Sequence, residues 1–160
     1  SGRLPITFPR TVGQVPIHYA HMSTGRPPSE KELGIPMGTP LDPRGFTSKY
    51  LDVDFTPEFP FGFGLSYTTF EYANLRLSSP SMSLAGSLTI SADISNTGSR
   101  DAVETVQLYT RQLAASITRP VRELRAFRRV HLRAGEKQTV EFTLKAPSRG
   151  VPFVLLFRAD

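Results

Sequence analysis

The sequence predicts a mostly-β chain: an antiparallel sandwich of immunoglobulin-like type preceded by an extended, loop-rich arm. Three observations predict it. Leu88, Ile90, Ala92 and Ile94 alternate with Thr89, Ser91, Asp93 and Ser95, the period-two signature of a strand with one buried face. Further short stretches of strand-like pattern follow between residues 70 and 145, separated by turn signals. Fourteen prolines and twelve glycines in 160 residues favour short strands and loops over long helices.

Residues 1–28 read as extended and turn-rich. Leu4-Pro5-Ile6-Thr7-Phe8-Pro9 interleaves apolar residues with prolines and is limited to an edge strand, and Val15-Pro16-Ile17-His18-Tyr19 is a second short extended piece. Residues 29–58 read as a loop: Ser29 to Leu33 allows one helical turn, after which Gly34, Pro36, Gly38, Pro40, Pro43 and Gly45 forbid a packed element. Residues 59–69, Phe59-Pro60-Phe61-Gly62-Phe63-Gly64-Leu65-Ser66-Tyr67-Thr68-Thr69, alternate rings with glycine. The glycines allow sharp turns or a close approach, and the rings anchor the segment on a surface.

From residue 70 the pattern is strand-like. Phe70 to Leu77 is a first strand with Phe70, Tyr72, Leu75 and Leu77 as its apolar contacts. Ser87 to Ser95 is the second, and Asn96-Thr97-Gly98 turns the chain. Thr105 to Tyr109 alternates again. Leu124, Phe127, Val130 and Leu132 mark a further strand or bent pair, with Phe127 assigned to the core. Arg133 to Glu136 is a tight turn, and Val140, Phe142 and Leu144 point inward from the next strand. Pro147-Ser148-Arg149-Gly150 turns the chain before the nearly all-apolar run Val151 to Phe157. A sandwich of this type needs about seven strands. The domain is therefore expected to be incomplete at its C-terminal end, with the apolar run covering the gap or promoting association.

Composition narrows the chemistry. With no cysteine, disulfides, zinc-thiolate sites and cysteine nucleophiles are excluded. The net charge is +5, and Arg supplies fifteen of the nineteen basic residues. Arg119, Arg122, Arg125, Arg128, Arg129 and Arg133 form the densest basic stretch. Nucleic-acid binding calls for exposed aromatics interleaved with such a stretch, so contacts to a neighbouring domain are expected instead, with neither nucleic acid nor membrane as partner. No apolar run approaches the length of a membrane span, and the opening Ser1-Gly2-Arg3-Leu4 reads as internal to a longer protein.

Paired carboxylates are the groups that chemistry such as glycoside hydrolysis normally uses. Asp42, Asp52, Asp54 and Glu58 are the candidates, but aspartates in loops usually cap turns and stay hydrated. His18, His21 and His131 are the only histidines. The extended look around Pro16 argues against a helical His18–His21 pair, so no metal or other cofactor is expected. Gly64-Leu65-Ser66-Tyr67-Thr68 lacks the final glycine of a nucleophile elbow. Gly62-x-Gly64 is too short for a dinucleotide fingerprint.

Several segments carry a family resemblance. Ser1 to Arg10 resembles the close of the second, α/β domain of family 3 glycoside hydrolases, and Val12 to Tyr19 with Thr24 to Pro27 continues it, nearest the bacterial periplasmic β-glucosidase type. Tyr50-Leu51-Asp52 is similar to the family's Tyr-x-Asp step before its linker motif, and Phe59 to Thr68 to that motif. Val106-Gln107-Leu108-Tyr109, Arg119 to Leu124 and Ala134-Gly135-Glu136 resemble strands and a turn of its fibronectin-III-like domain. Ala126 and Ala134 stand where the family usually has Gly and Pro, and the chain departs from the family after Leu144.

The resemblance implies an organisation: 1–28 as the end of the α/β domain, 29–69 as linker and loop, and 70–160 as a truncated fibronectin-III-like domain. It implies a C-terminal piece of a β-glucosidase that hydrolyses terminal β-D-glucosyl residues when intact, in a periplasmic or secreted setting, with the barrel and α/β domains as partners. The family's Asp nucleophile sits in a Ser-Asp-Trp context, and this chain has no Trp. Its acid/base Glu lies upstream of the matching segment. No catalytic residue is therefore expected here, and the chain alone is expected to be inactive. The alternatives are a carbohydrate-binding module, with Tyr19, Phe46 and Tyr50 as its aromatics, or a protein-interaction module.

Overall fold

The computed structural model describes residues 2–24, 26–27, 37–40, 48–83, 85–113, 116–145 and 153–157, the last stretch as backbone. Among the described residues six strands form two antiparallel sheets: β1 (Phe70–Leu77), β2 (Ser87–Asn96), β3 (Ala102–Gln112), β4 (Glu123–Leu132), β5 (Lys137–Lys145) and β6 (Phe153–Phe157). One sheet has the order β1-β2-β5 and the other β4-β3-β6. The expected sandwich is present. Its core is Leu88, Ile90 and Ile94 of β2, Val106 and Leu108 of β3, Val130 and Leu132 of β4, and Val140 and Phe142 of β5. These positions alternate along each strand, so each sheet buries one face against the other.

Within the apolar run Phe153–Phe157 forms β6, which covers one edge of β3: it pairs from Leu108↔Phe157 to Gln112↔Phe153. The turn read at Pro147 to Gly150, the helical turn at Ser29 to Leu33, and Asp42 and Phe46 lie outside the described residues.

Two strands depart from simple alternation, each at a bulge. In β1 the register shifts between Ala73 and Arg76, with Asn74 in the left-handed region at φ 53°. Phe70 and Tyr72 pack on the core, but Leu75 and Leu77 do not: they are 50% and 44% exposed. The extra residue shifts the phase so that Leu77 pairs with Ile90 of the inner face, yet Leu77 stays largely uncovered.

In β4, Ala126 pairs with Leu108 and Leu124 with Tyr109, leaving Arg125 as the bulge. Ala126, Arg128, Val130 and Leu132 therefore take the inner phase. Phe127, assigned to the core from the sequence, lies outside, 66% exposed. Arg128 stays at the rim of the inner face, its guanidinium 5.7 Å from the centre of the Phe142 ring.

Candidate functional site at the arm and sandwich junction

The outer face of β3 is not open to water. Gln107 and Tyr109 are buried as well as the core residues Val106 and Leu108. The cover is the N-terminal arm. Its first residues run beside the glycine-aromatic segment: Leu4 N donates to Phe63 O at 2.8 Å, Gly62 N to Leu4 O at 2.8 Å, and Phe8 N to Phe59 O at 2.8 Å. The paired segments then lie on the sheet.

Gly62 makes the approach possible. Its φ is +80°, and a Cβ there would collide with the Gln107 amide oxygen and come within 2.6 Å of the Tyr109 hydroxyl. In return Gln107 Nε2 donates to Gly62 O at 3.0 Å, and the Tyr109 hydroxyl donates to Gln107 Oε1 at 2.6 Å. Beside this contact Tyr19 stacks on Phe61 with ring centres 4.1 Å apart, and meets Tyr109 edge-on at 6.2 Å. Phe59 and Phe63 pack at 5.2 Å. The anchoring role read from the glycine-aromatic spacing is what this geometry displays.

A second tie enters the sandwich itself. Glu104 sits on the inner phase of β3 and is 2% exposed. Arg3 reaches it from the arm at 2.7 Å and donates a second bond to Gly64 O at 2.7 Å. The Tyr72 hydroxyl donates to the same Glu104 oxygen at 2.7 Å. Burial, and then that bond to a carboxylate, raise the Tyr72 phenol far above the ordinary tyrosine range. A buried carboxylate without a cation would be costly, so Glu104 and Arg3 require each other.

Further along, Gln14 is fully buried and binds the arm to the loop before the linker motif. It accepts from Arg10 N at 2.6 Å and donates to Asp54 O at 2.7 Å. At the opposite end Met22 bridges to Pro120, with Val121 N donating to His21 O at 2.9 Å.

Among the described residues, those singled out for chemistry do not converge. Asp54 caps a turn, accepting from Thr56 N at 2.7 Å. That bond and one from the Thr56 side chain hold its carboxyl below the usual range. Glu58 forms an ion pair with Arg10 at 2.6 Å at a half-exposed surface. Asp52 is exposed in a bend. His21 Nδ1 lies 3.2 Å from Met22 O, and His131 is exposed on β4. Of the aromatics weighed as a sugar platform, Tyr19 is stacked on Phe61 and Tyr50 donates to Gln14 O at 3.3 Å.

Sequence reasoning missed Arg3, Gln14, Gln107 and Glu104. Each is polar and acts on a partner distant in sequence. For Gln107 alone a signal existed: a buried-strand position held by an amide with tyrosine two residues on, a pair sharing the outer face.

Comparison with known proteins places this arrangement. The fibronectin type III-like domain family matches residues 104–151. A periplasmic β-glucosidase of Salmonella typhimurium is 43% identical over 144 residues, covering 90% of this chain and 18% of that protein. A β-xylosidase of Formosa agariphila is 41% identical, over 89% of this chain and 17% of its own length. The crystal structure of a β-glucosidase from Listeria innocua in complex with gluconolactone superposes with a TM-score of 0.78 at 39% identity, covering 91% of this chain and 19% of that one. The chain thus spans about a fifth of the relatives it matches, and the match runs through the arm as well as the sandwich.

Proposed function

We propose that this chain, which belongs to the family 3 glycoside hydrolases and is the part carrying their fibronectin type III-like domain rather than their catalytic part, is a rigid support module of a β-glucosidase-type enzyme. The whole enzyme removes terminal β-D-glucosyl residues, and its barrel and α/β domains supply the reacting groups. Residues 1–28 are the end of the α/β domain, residues 29–69 the linker and loop, and residues 70–160 the support itself. Substrates meet this module only through the enzyme that carries it. The periplasmic relative supports a periplasmic or secreted location.

The observation that carries this reading is the clamp between arm and sheet. Arg3 on Glu104 and Gly62 on Gln107 fix the arm to the sandwich at two places. A module held this way transmits a fixed orientation to whatever precedes it, which a flexible linker does not.

A graft tests the proposal. In the Salmonella β-glucosidase, the matching 144-residue segment is replaced by this chain, and separately deleted. The graft is expected to give soluble enzyme active on an aryl β-glucoside, and the deletion to lose it. A deletion as soluble and active as the parent, or an inert graft, would contradict the support role.

A further inference from the structure

Three parts of the chain meet at Glu104. The glutamate belongs to β3 in one sheet, Tyr72 belongs to β1 in the other, and Arg3 belongs to the arm. Both partners reach the same oxygen: Arg3 Nη2 and the Tyr72 hydroxyl each donate to Oε1 at 2.7 Å. The other oxygen, Oε2, is buried with no partner among the described residues. The buried charge is therefore met by two donors from two different elements, and neither is spare. The seat for Arg3 is built as well. Its Nη1 donates to Gly64 O at 2.7 Å, and a Cβ on Gly64 would run into Gly2 O and come within 3.0 Å of Arg3 Cδ.

β1 is the strand with most to gain from such a tie. It lies at the edge of its sheet, paired with β2 alone among the described residues. Phe70 and Tyr72 pack on the core, while every residue from Ala73 to Leu77 is exposed.

We propose that Arg3, Glu104 and Tyr72 form a latch that couples seating of the arm on one sheet to closure of β1 on the other. With both seated, the Glu104 side chain is 2% exposed. Without Arg3, the unmatched carboxylate favours any opening that admits water, the lifting of β1 included. Without the Tyr72 hydroxyl, the closed arm holds a carboxylate with one donor instead of two, so the arm opens more often. By linkage each seat strengthens the other by the same factor. The latch lies within the chain and does not depend on the support role.

Amide exchange on the whole chain tests it. Arm opening is read at Leu4, Phe8 and Gly62, whose amides bond between the arm and the glycine-aromatic segment. Opening of β1 is read at residues 70–73. Tyr72→Phe keeps the ring and is expected to speed exchange at the arm amides at least about fivefold, and Arg3→Met to speed it in β1 at least about fivefold. In Glu104→Gln the charge is gone, and adding Tyr72→Phe there should change the arm amides by less than about twofold. Val140→Ala removes core contacts of β5 without touching the latch. It should leave the arm amides within about twofold, which separates coupling from a general loss of stability. Arm amides unmoved by Tyr72→Phe, or β1 amides unmoved by Arg3→Met, overturn the latch. So does an equal effect of Tyr72→Phe in the Glu104→Gln chain, which would assign the effect to ring packing instead of the carboxylate.

Discussion

Arg3 and Glu104, 101 residues apart, meet at 2.7 Å with the carboxylate almost wholly excluded from water. Removing the cation alone leaves a buried charge. Arg3→Met is therefore expected to lower stability by about 3 kcal/mol, read from the urea midpoint at neutral pH. Glu104→Gln should cost less, because the amide oxygen still accepts from Tyr72. Equal stability of Arg3→Met and the parent chain would mean that the arm does not depend on this pair.

Gly62→Ala carries two penalties, a positive φ and a Cβ that runs into Gln107 and Tyr109. Repacking the sheet face is obstructed because that amide and hydroxyl bond each other. The variant is expected to lose about 2 kcal/mol or more and to release the arm before the sandwich unfolds. Limited proteolysis should then cut within residues 2–24 while the strands persist. An arm as resistant as in the parent would show that the contact tolerates a side chain.

Asn96 closes the end of the sandwich near the linker. It donates to Arg100 O at 2.7 Å and Leu132 O at 3.2 Å, and accepts from the Thr68 hydroxyl at 2.7 Å and Gly98 N at 3.2 Å. Asn96→Ala strands these groups in a buried corner and should cost at least about 2 kcal/mol in thermal or urea unfolding. A loss below about half a kcal/mol would show that water replaces the amide there.

Asp93 supplies a pH signature. On the outer face of β2 it accepts from Asn74 of β1 and Thr139 of β5, both at 2.7 Å, with Lys137 of β5 at 3.1 Å and Arg76 of β1 at 3.9 Å. The Asn74 bond first, then those of Thr139 and Lys137, hold its carboxyl well below the ordinary aspartate range. The folded form thus favours the carboxylate. Its stabilisation is complete above the unfolded value near pH ~4 and is lost as pH falls below it. Asp93→Asn should be less stable than the parent at pH 7, with the gap closing in acid. A gap independent of pH would show that the Asp93 carboxylate does not carry the acid dependence.

The sandwich was legible where local alternation is undisturbed, as in β2 and β5. It misled at Phe127, which alternates out of phase with Val130 and Leu132, and at Leu75 and Leu77, which stay largely exposed although Leu77 pairs with Ile90. The close approach at Gly62 was readable because glycine between rings has a local meaning. Its target was not: Gln107 lies 45 residues away on a strand whose outer face reads as solvent-facing until the arm is placed over it. Arg3–Glu104 had no local signal at all, since either residue alone resembles a hydrated surface charge. Family resemblance supplied what periodicity lacked, assigning the arm and the sandwich to one enzyme.

As a proposed support module, this chain is expected to show no glycoside turnover of its own. The most direct measurement is hydrolysis of an aryl β-glucoside by the purified chain, run beside the Salmonella graft at equal concentration. The account predicts no turnover above buffer for the chain and clear turnover for the graft. Turnover by the chain alone that disappears in Asp52→Asn or Glu58→Gln would contradict it, placing a reacting carboxylate in the loop before the linker.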